Sequence, residues 1–566
     1  MTGLFWLARR VAVDSEGFLM LTKTGVQVVM ILVAFGLSMG CGPAPVPSPS
    51  ETANTTTASQ DFGEVVAAVG NGAVGKKVLE SQIREACTYC HAYPEPRTIP
   101  KGFWEKELRQ AYGFLEHSDF DPQKVPPFAP TLRFFQDRAP ERFEIAPPQW
   151  SPSPLVFKTR DLTIGVDGET PGQFALPVYQ GVSNIQWSPW GAAKHSAGLI
   201  TDMPTGQVFV WEPSTGRDTL TFLGKVTHPG HLETTDLDED GRPDALVADL
   251  GTLQTSDAKK GRVLWLHPGQ SGVYQMTPLL AGVGRIADVR AADFDVDGDR
   301  DLVVAEFGGQ FSGHVLYLEN QTTDYRKPRF EVHTLDDRAG VIHVPVADLN
   351  GDGRLDFMAL ISQEHEKIVA FLNQGQGNFR KEVVFDANNA GYGSAGIELV
   401  DVDGDGDLDV LLVNGDTLDF QIYRPYHQVQ WLENEGSFPF RRHALTPLPG
   451  GLAVSSGDLD ADGDLDIVAS AFLPFGITDP QTGVNLLDGK RVASLVWLEQ
   501  TSPRQFETHV LETGRYSHAT VKCADVDADG DLDLLTGHFT LEGITPRAIG
   551  LSPLPGMITI WENQLR

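Results

Sequence analysis

A nine-residue acidic pattern, D-x-[DN]-x-D-G-x-x-D, recurs six times in this 566-residue chain, beginning at Asp236, Asp293, Asp348, Asp401, Asp458 and Asp525. Successive copies lie 57, 55, 53, 57 and 67 residues apart. A steady period constrains a fold more than composition does, because each repeat must be one supersecondary unit whose apolar face is buried by its neighbours. Each copy runs into a β-type apolar stretch, such as DLVVAEF or DLDVLLV, rather than a helix. Together with 58 glycines and 37 prolines, which favour turns, the pattern predicts an all-β repeat of the propeller type.

The loop itself has a chemistry. Side chains at positions 1, 3, 5 and 9 can converge on one ion: Asp236, Asp238, Asp240 and Asp244 in the first copy, Asp293, Asp295, Asp297 and Asp301 in the second, and Asp348, Asn350, Asp352 and Asp356 in the third. The remaining copies offer Asp401, Asp403, Asp405 and Asp409, then Asp458, Asp460, Asp462 and Asp466, then Asp525, Asp527, Asp529 and Asp533. Position 7 (Arg242, Asp299, Arg354, Asp407, Asp464, Asp531) can add a backbone carbonyl, and Gly at position 6 permits the sharp turn. Hard oxygen ligands in a flexible loop favour Ca²⁺ over Mg²⁺. An EF-hand is excluded, since position 12 holds an apolar residue such as Val247 or Val304. A merely solvated acidic turn does not account for six evenly spaced copies. The loops hold 28 of the 76 acidic residues, and six calcium ions would move the formal charge from −32 to −20. That charge excludes nucleic acid as a partner, because phosphate binding needs a basic surface. Close-packed carboxylates repel, so the metal-free form should be the less stable one.

With these loops the chain resembles the FG-GAP/VCBS repeat family, the integrin-α-like propellers, over residues 155–566. Seven aromatic third strands follow one another, carrying Trp211, Trp265, Tyr317, Phe371, Trp431, Trp497 and Trp561. Seven aromatics against six loops predict seven blades, the first without an ion. Each unit reads as inner strand, calcium loop, second strand, aromatic third strand and outer strand, the last being FEVHTL, FRRHAL or FETHVL. No outer strand follows the last third strand, and FALPVY (174–179) is the segment predicted to supply it and close the ring. The connections at 251–261, 415–427, 472–491 and 539–556 are long and variable, marking the candidate ligand face. Asp202, Asp249, Glu306, Asn414 and His538 stand at its mouth, as lining of a central site or as solvated rim residues. Glu233, Arg290, Glu398 and Lys522 lie on inner strands, where His343 and Cys523 read as packing residues.

The N-terminal part reads differently. The apolar run of residues 26–37 is too short to span a bilayer and suits a signal peptide. Ser-Met-Gly-Cys at 38–41 resembles a bacterial lipoprotein cleavage box with Cys41 as the lipidated residue, although Ser38 stands where that pattern prefers Leu; a plain signal peptide and a start at Met20 stay open. Residues 1–41 are thus an export segment, giving a periplasmic or cell-surface protein held by a lipid anchor. Residues 42–74 read as a disordered linker. Within 75–150, Cys87-Thr88-Tyr89-Cys90-His91 has the spacing for two thioethers to one haem c and a proximal His91. A redox dithiol or a zinc site with His117 is the alternative. The stretch CTYCHAYPEP…PKGFWEKELRQAYGFLEH resembles the short, helical monohaem cytochrome segments attached to bacterial FG-GAP/VCBS proteins. No Met lies between Met39 and Met203, so the distal iron position falls to His117, to a partner or to nothing.

No nucleophile elbow, zinc-protease motif or nucleotide loop is present. The sequence therefore favours calcium-stapled binding and electron transfer at the cell envelope, with a redox partner or a carbohydrate or protein ligand. An oxidoreductase or carbohydrate-active enzyme on the same scaffold is the competing class.

Overall fold

The computed structural model describes residues 73–89, 92–143, 150–164, 181–191, 195–269, 273–309, 312–417, 422, 424–474, 492–540 and 556–565. Six second strands begin at the last loop aspartate: Asp244–Asp249, Asp301–Glu306, Asp356–Ile361, Asp409–Asn414, Asp466–Ala471 and Asp533–His538. Every residue of these strands is buried. They are continuous apolar runs rather than alternating ones because a neighbouring blade covers each of their faces. Outer strands such as Phe330–Asp336 instead alternate between partial burial and exposure, as half-solvated strands do.

Seven antiparallel sheets result, with inner strands at Val182–Trp190, Pro229–Thr235, Ile286–Ala292, Val341–His343, Ser394–Val400, Gly451–Gly457 and His518–Ala524. Each inner strand packs on the next, and the last packs on the first, so the ring is closed. It is a seven-bladed β-propeller. Blade 1 lacks the acidic loop: Trp190 pairs directly with His195, leaving only residues 191–194 between the strands. All seven third-strand aromatics are buried.

The closing strand is not FALPVY. Phe157–Ile164 pairs antiparallel with Ile558–Asn563 and completes blade 7, while residues 174–179 lie outside the described residues. Thr163 and Ile164 then run parallel to Thr219 and Leu220 of blade 1, so one segment joins both sides of the closure. The propeller also begins earlier than residue 155, because Ser151 and Pro152 pair with His509 and Val510 of blade 6.

Strand direction places all six acidic loops on one face and the long connections on the other. On the connection face the axis is plugged. Met203, Leu250, Phe307, Phe472 and Phe539 each directly follow a second strand, and these residues from five blades join one buried cluster, which is geometrically available only near the axis.

Ahead of the ring, helices Ala73–Cys87, Trp104–Glu116 and Phe128–Gln136 pack around Ile83, Trp104, Leu108, Phe134 and Phe135. Tyr426 Oη of blade 5 donates to Thr98 O at 3.2 Å, linking this segment to the connection face. Among the described residues no helix is long and apolar enough to cross a membrane.

Candidate functional site

The acidic loops fold through nested turns in which each carboxylate accepts from backbone N–H groups just ahead of it. In loop 5, Asp458 accepts from Gly463 N at 3.1 Å and Asp462 N at 3.1 Å, Asp460 from Asp462 N at 3.2 Å, and Asp462 from Asp464 N at 2.9 Å. Closing this spiral needs left-handed backbone twice. Position 6 is Gly throughout, with φ of 83°, 102°, 84°, 96°, 99° and 100°. Position 4 is left-handed too, even where it is Glu239, Val296, Ala461 or Ala528.

The spiral gathers oxygens. One ligand atom each from Asp236, Asp238 and Asp244 lies within 4.8 Å of the others, and the same holds for Asp401, Asp403 and Asp409, for Asp458, Asp460 and Asp466, and for Asp525, Asp527 and Asp533. In loop 2 the trio is Asp293, Asp295 and Asp297. Loop 3 has Asn350 in place of one aspartate and keeps the same turn, with Asp352 N on Asn350 Oδ1 at 2.9 Å and Gly353 N on Asp348 Oδ2 at 2.9 Å. Positions 1, 3 and 9 therefore meet in loops 1, 4, 5 and 6, whereas in loop 2 position 5 takes the place of position 9. At position 7 the arginines turn back on their own loop: Arg242 Nε reaches Asp240 Oδ2 at 2.8 Å, and Arg354 pairs with Asp352. Arg504 of blade 6 crosses to Asp403 and Glu433, both at 2.5 Å.

Position 9 has a second duty that the sequence did not reveal. Its carboxylate is buried and bridges two backbone N–H groups. Asp466 takes Leu459 N at 3.1 Å and Gln500 N at 2.9 Å; Asp409 takes Val402 N at 3.1 Å and Asn434 N at 2.7 Å; Asp533 takes Val526 N at 3.0 Å and Asn563 N at 2.7 Å. Asp301 and Asp356 make the same pair of bonds with Asn320 and Asn373. The loop is thereby tied to the end of the third strand of its own blade. Trp265 Nε1 adds a bond to Asp244 at 2.8 Å, and Tyr317 Oη one to Asp301 at 2.9 Å. The recurring Asn or Gln that ends YLEN, FLN, WLEN, WLEQ and IWEN was the available sequence signal for this staple. Asn563 Nδ2 also reaches Leu459 O of blade 6 at 2.9 Å, and Asn373 Nδ2 reaches Phe294 O of blade 3 at 2.7 Å, so the staple spans adjacent blades.

Charge crowding is strong in these loops. Burial, helped by neighbouring carboxylates, pushes Asp244 and Asp301 up to about 7. Burial likewise pushes Asp409, Asp466 and Asp533 up to about 6, and Asp299 and Asp531 rise as far with their neighbours' charges adding. Asp236 Oδ1, Asp299 Oδ1, Asp525 Oδ1 and both oxygens of Asp531 are buried with no hydrogen-bond partner among the described residues. A cation would satisfy those oxygens and lower every one of these pKa values.

The opposite face corrects the sequence reading. Asp202, Asp249, Glu306, Asn414 and His538 are all buried, so they are not solvated rim residues. Their polar atoms clamp nearby backbone and side chains. Asp202 takes Gly181 N at 3.0 Å, Asp249 takes His228 N at 2.8 Å and Arg262 Nε at 2.9 Å, and Glu306 takes Gly284 N. Asn414 donates to Tyr392 O and Tyr426 O, both at 3.0 Å, and His538 bridges Ser517 Oγ at 3.1 Å and Thr559 Oγ1 at 2.8 Å. On the inner strands, Arg290 meets Glu233 at 2.8 Å and Asp288 at 3.1 Å, and Lys522 lies 3.6 Å from Glu398. Asp288 is buried, which alone would raise it, but Arg290 and His231 hold it well below the usual carboxylate range. His343 lies beside it, bonded to Ala395 O at 3.1 Å, and Cys523 is buried in the inner wall.

In the N-terminal segment, Cys87 is half-buried and its burial pushes the thiol up to about 12. His117 caps the second helix, exposed, with Nδ1 on Gly113 O at 2.7 Å. The ends of the first two helices meet through Ala86, Leu115 and Phe120. Cys41, Cys90 and His91 lie outside the described residues.

Residues 236–304 and 348–412 match the family model described as FG-GAP-like repeat. The two matched spans each begin at the first residue of an acidic loop. No curated protein matches the chain.

Proposed function

Starting from a seven-bladed propeller that carries FG-GAP-like repeats, we propose that the chain is an exported binding scaffold whose six acidic loops each take one calcium ion. The observation that carries this reading is the gathering of three carboxylate oxygens within 4.8 Å of one another in five of the six loops. At position 1, Asp236 Oδ1 in loop 1 and Asp525 Oδ1 in loop 6 are buried with no hydrogen-bond partner among the described residues. Calcium suits all-oxygen sites built from carboxylates and a backbone carbonyl. Bound ions lock the turn between inner and second strands, so ion binding is coupled to blade stability. Each site should contribute about 2.7 kcal/mol at a free calcium concentration 100 times its Kd. Adding EGTA should therefore lower the melting temperature sharply, and excess calcium should restore it. An unchanged melt would end the calcium reading.

The N-terminal segment supports a second role in the same molecule: electron transfer at the envelope through one haem c held by Cys87, Cys90 and His91. The supporting observation is the meeting of the helix ends that carry Cys87 and His117 around Ala86, Leu115 and Phe120. Bound haem would supply a one-electron redox centre. The chain's own contribution is the helical frame and its bond from Tyr426 to Thr98, which keeps the segment against the connection face. Protein matured with cytochrome-assembly machinery should keep its haem stain after denaturing electrophoresis and lose it on Cys87→Ala with Cys90→Ala. Matured protein with no haem would refute this role and leave the calcium scaffold standing.

A further inference from the structure

Most arginines of the connection face that sit within the ring meet a carboxylate. Arg262 lies 2.5 Å from Asp249, Arg338 lies 2.8 Å from Asp336, and Arg515 lies 3.7 Å from Glu512. Arg285 differs. It enters the inner strand of blade 3 from the connection face and is fully buried, yet among the described residues no carboxylate pairs with it. Its Nε donates to Thr252 O at 3.1 Å and its Nη2 to Leu253 O at 3.4 Å, both neutral acceptors. Its guanidinium carbon stands 5.0 Å from the centre of the Phe307 ring, part of the apolar plug on the axis. Nη1 has no hydrogen-bond partner among the described residues.

Two more orphaned donors belong to the connection that Arg285 grips. The hydroxyl oxygens of Thr252 and Thr255 are buried and have no partner among the described residues. A guanidinium keeps its charge at any pH a protein tolerates, so it cannot escape burial by releasing a proton as a lysine can. An isolated buried charge is costly unless a counter-charge reaches it. Two donors on this short connection and a third on the charged side chain that grips it thus call for an anion.

We propose that Arg285 Nη1, with the hydroxyls of Thr252 and Thr255, holds a small monovalent anion beside the axial plug of the connection face. The complete burial of Arg285 limits the bound group to the size of a halide or a single carboxylate. A free halide and the carboxylate of an organic ligand share this chemistry, and the test separates them.

Crystals of the full chain grown in gluconate, an anion too bulky for the site, would be transferred to sodium bromide. A bromine anomalous peak should appear within hydrogen-bonding reach of Arg285 Nη1. If added acetate displaces that peak, the site takes carboxylates; if it does not, the site is a halide site. Either result supports the proposal. Water-sized density without anomalous signal, together with no carboxylate density in acetate, would overturn it. In solution, bromide in place of gluconate at equal ionic strength should raise the melting temperature of wild type but not of Arg285→Gln. Thr255→Val, a milder change that keeps the guanidinium, should reduce that rise. Equal rises in wild type and both variants would also overturn the proposal.

Discussion

Blade 1 and blade 6 share the same four core strands but differ in their first turns. In blade 1, Val182–Trp190 and His195–Asp202 are joined by four residues and Trp187 packs 5.9 Å from Trp211. In blade 6, the nine residues Asp458–Asp466 fill the same place, with five carboxylates and two left-handed positions. The ring closes over both. A propeller blade therefore does not need an acidic loop to form, and a device repeated six times at such electrostatic cost must serve something other than topology. The comparison also divides the motif: positions 1 and 3 bring oxygens to the loop cluster, while position 9 joins that cluster in four loops and also staples the loop to its own blade.

The largest effect should come from opening the ring. Deleting residues 151–164 removes the strand that pairs with Ile558–Asn563 and the bridge to Thr219 and Leu220. It strips a partner from the third strand of blade 7 and from the outer strands of blades 1 and 6, and should cause aggregation, read by light scattering. Deleting residues 174–179 alone should leave the blade 7 pairing intact. If that shorter deletion aggregates and the longer one does not, the closure assignment is wrong.

Separating the staple from the ion site gives the next effect. Asp466→Ala strands the N–H groups of Leu459 and Gln500 in the interior, a loss of about 2–5 kcal/mol for two unsatisfied donors. Denaturant unfolding should show that loss with or without calcium. Asp460→Ala should instead destabilise only when calcium is present to be lost. Identical calcium dependence of the two variants would erase the distinction between the positions.

A smaller effect belongs to the connection face, away from the acidic loops. Glu366 is buried, accepts from Gly393 N at 3.1 Å and Ser394 N at 3.0 Å, and burial pushes it up to about 8. The folded state then holds its proton more tightly than the unfolded chain. Stability from this group is complete below the unfolded value near 4.3 and is lost as pH rises through about 8. Glu366→Gln should flatten the fall in stability between about pH 5 and 8. A slope unchanged from wild type would show that another group sets it.

How much of this was legible follows from where the information lies. Loop, aromatic and blade count were readable because each recurs with the period and depends on one blade alone. The closing strand was misplaced because outer strands carry weak patterns. FKTRDLTI at 157–164 alternates well, whereas FALPVY contains a proline that cannot donate to a ladder. The connection face was misread for a different reason. Asp249 and Asn414 look like rim residues along one strand, and the folding of their own blade's connections around them leaves them buried. Arg285 was invisible to pattern reading, since nothing in the sequence marks an arginine that will lack a carboxylate.

The central claim is that the six loops, and not blade 1, hold calcium. Its most direct test is the metal content of purified full-length protein after dialysis against trace calcium, measured by elemental analysis. The account predicts about six calcium ions per chain, matching the six loops, and about five after Asp458→Asn with Asp460→Asn. A wild-type chain that retains no calcium, or a loop-5 variant that retains as much as wild type, would contradict it.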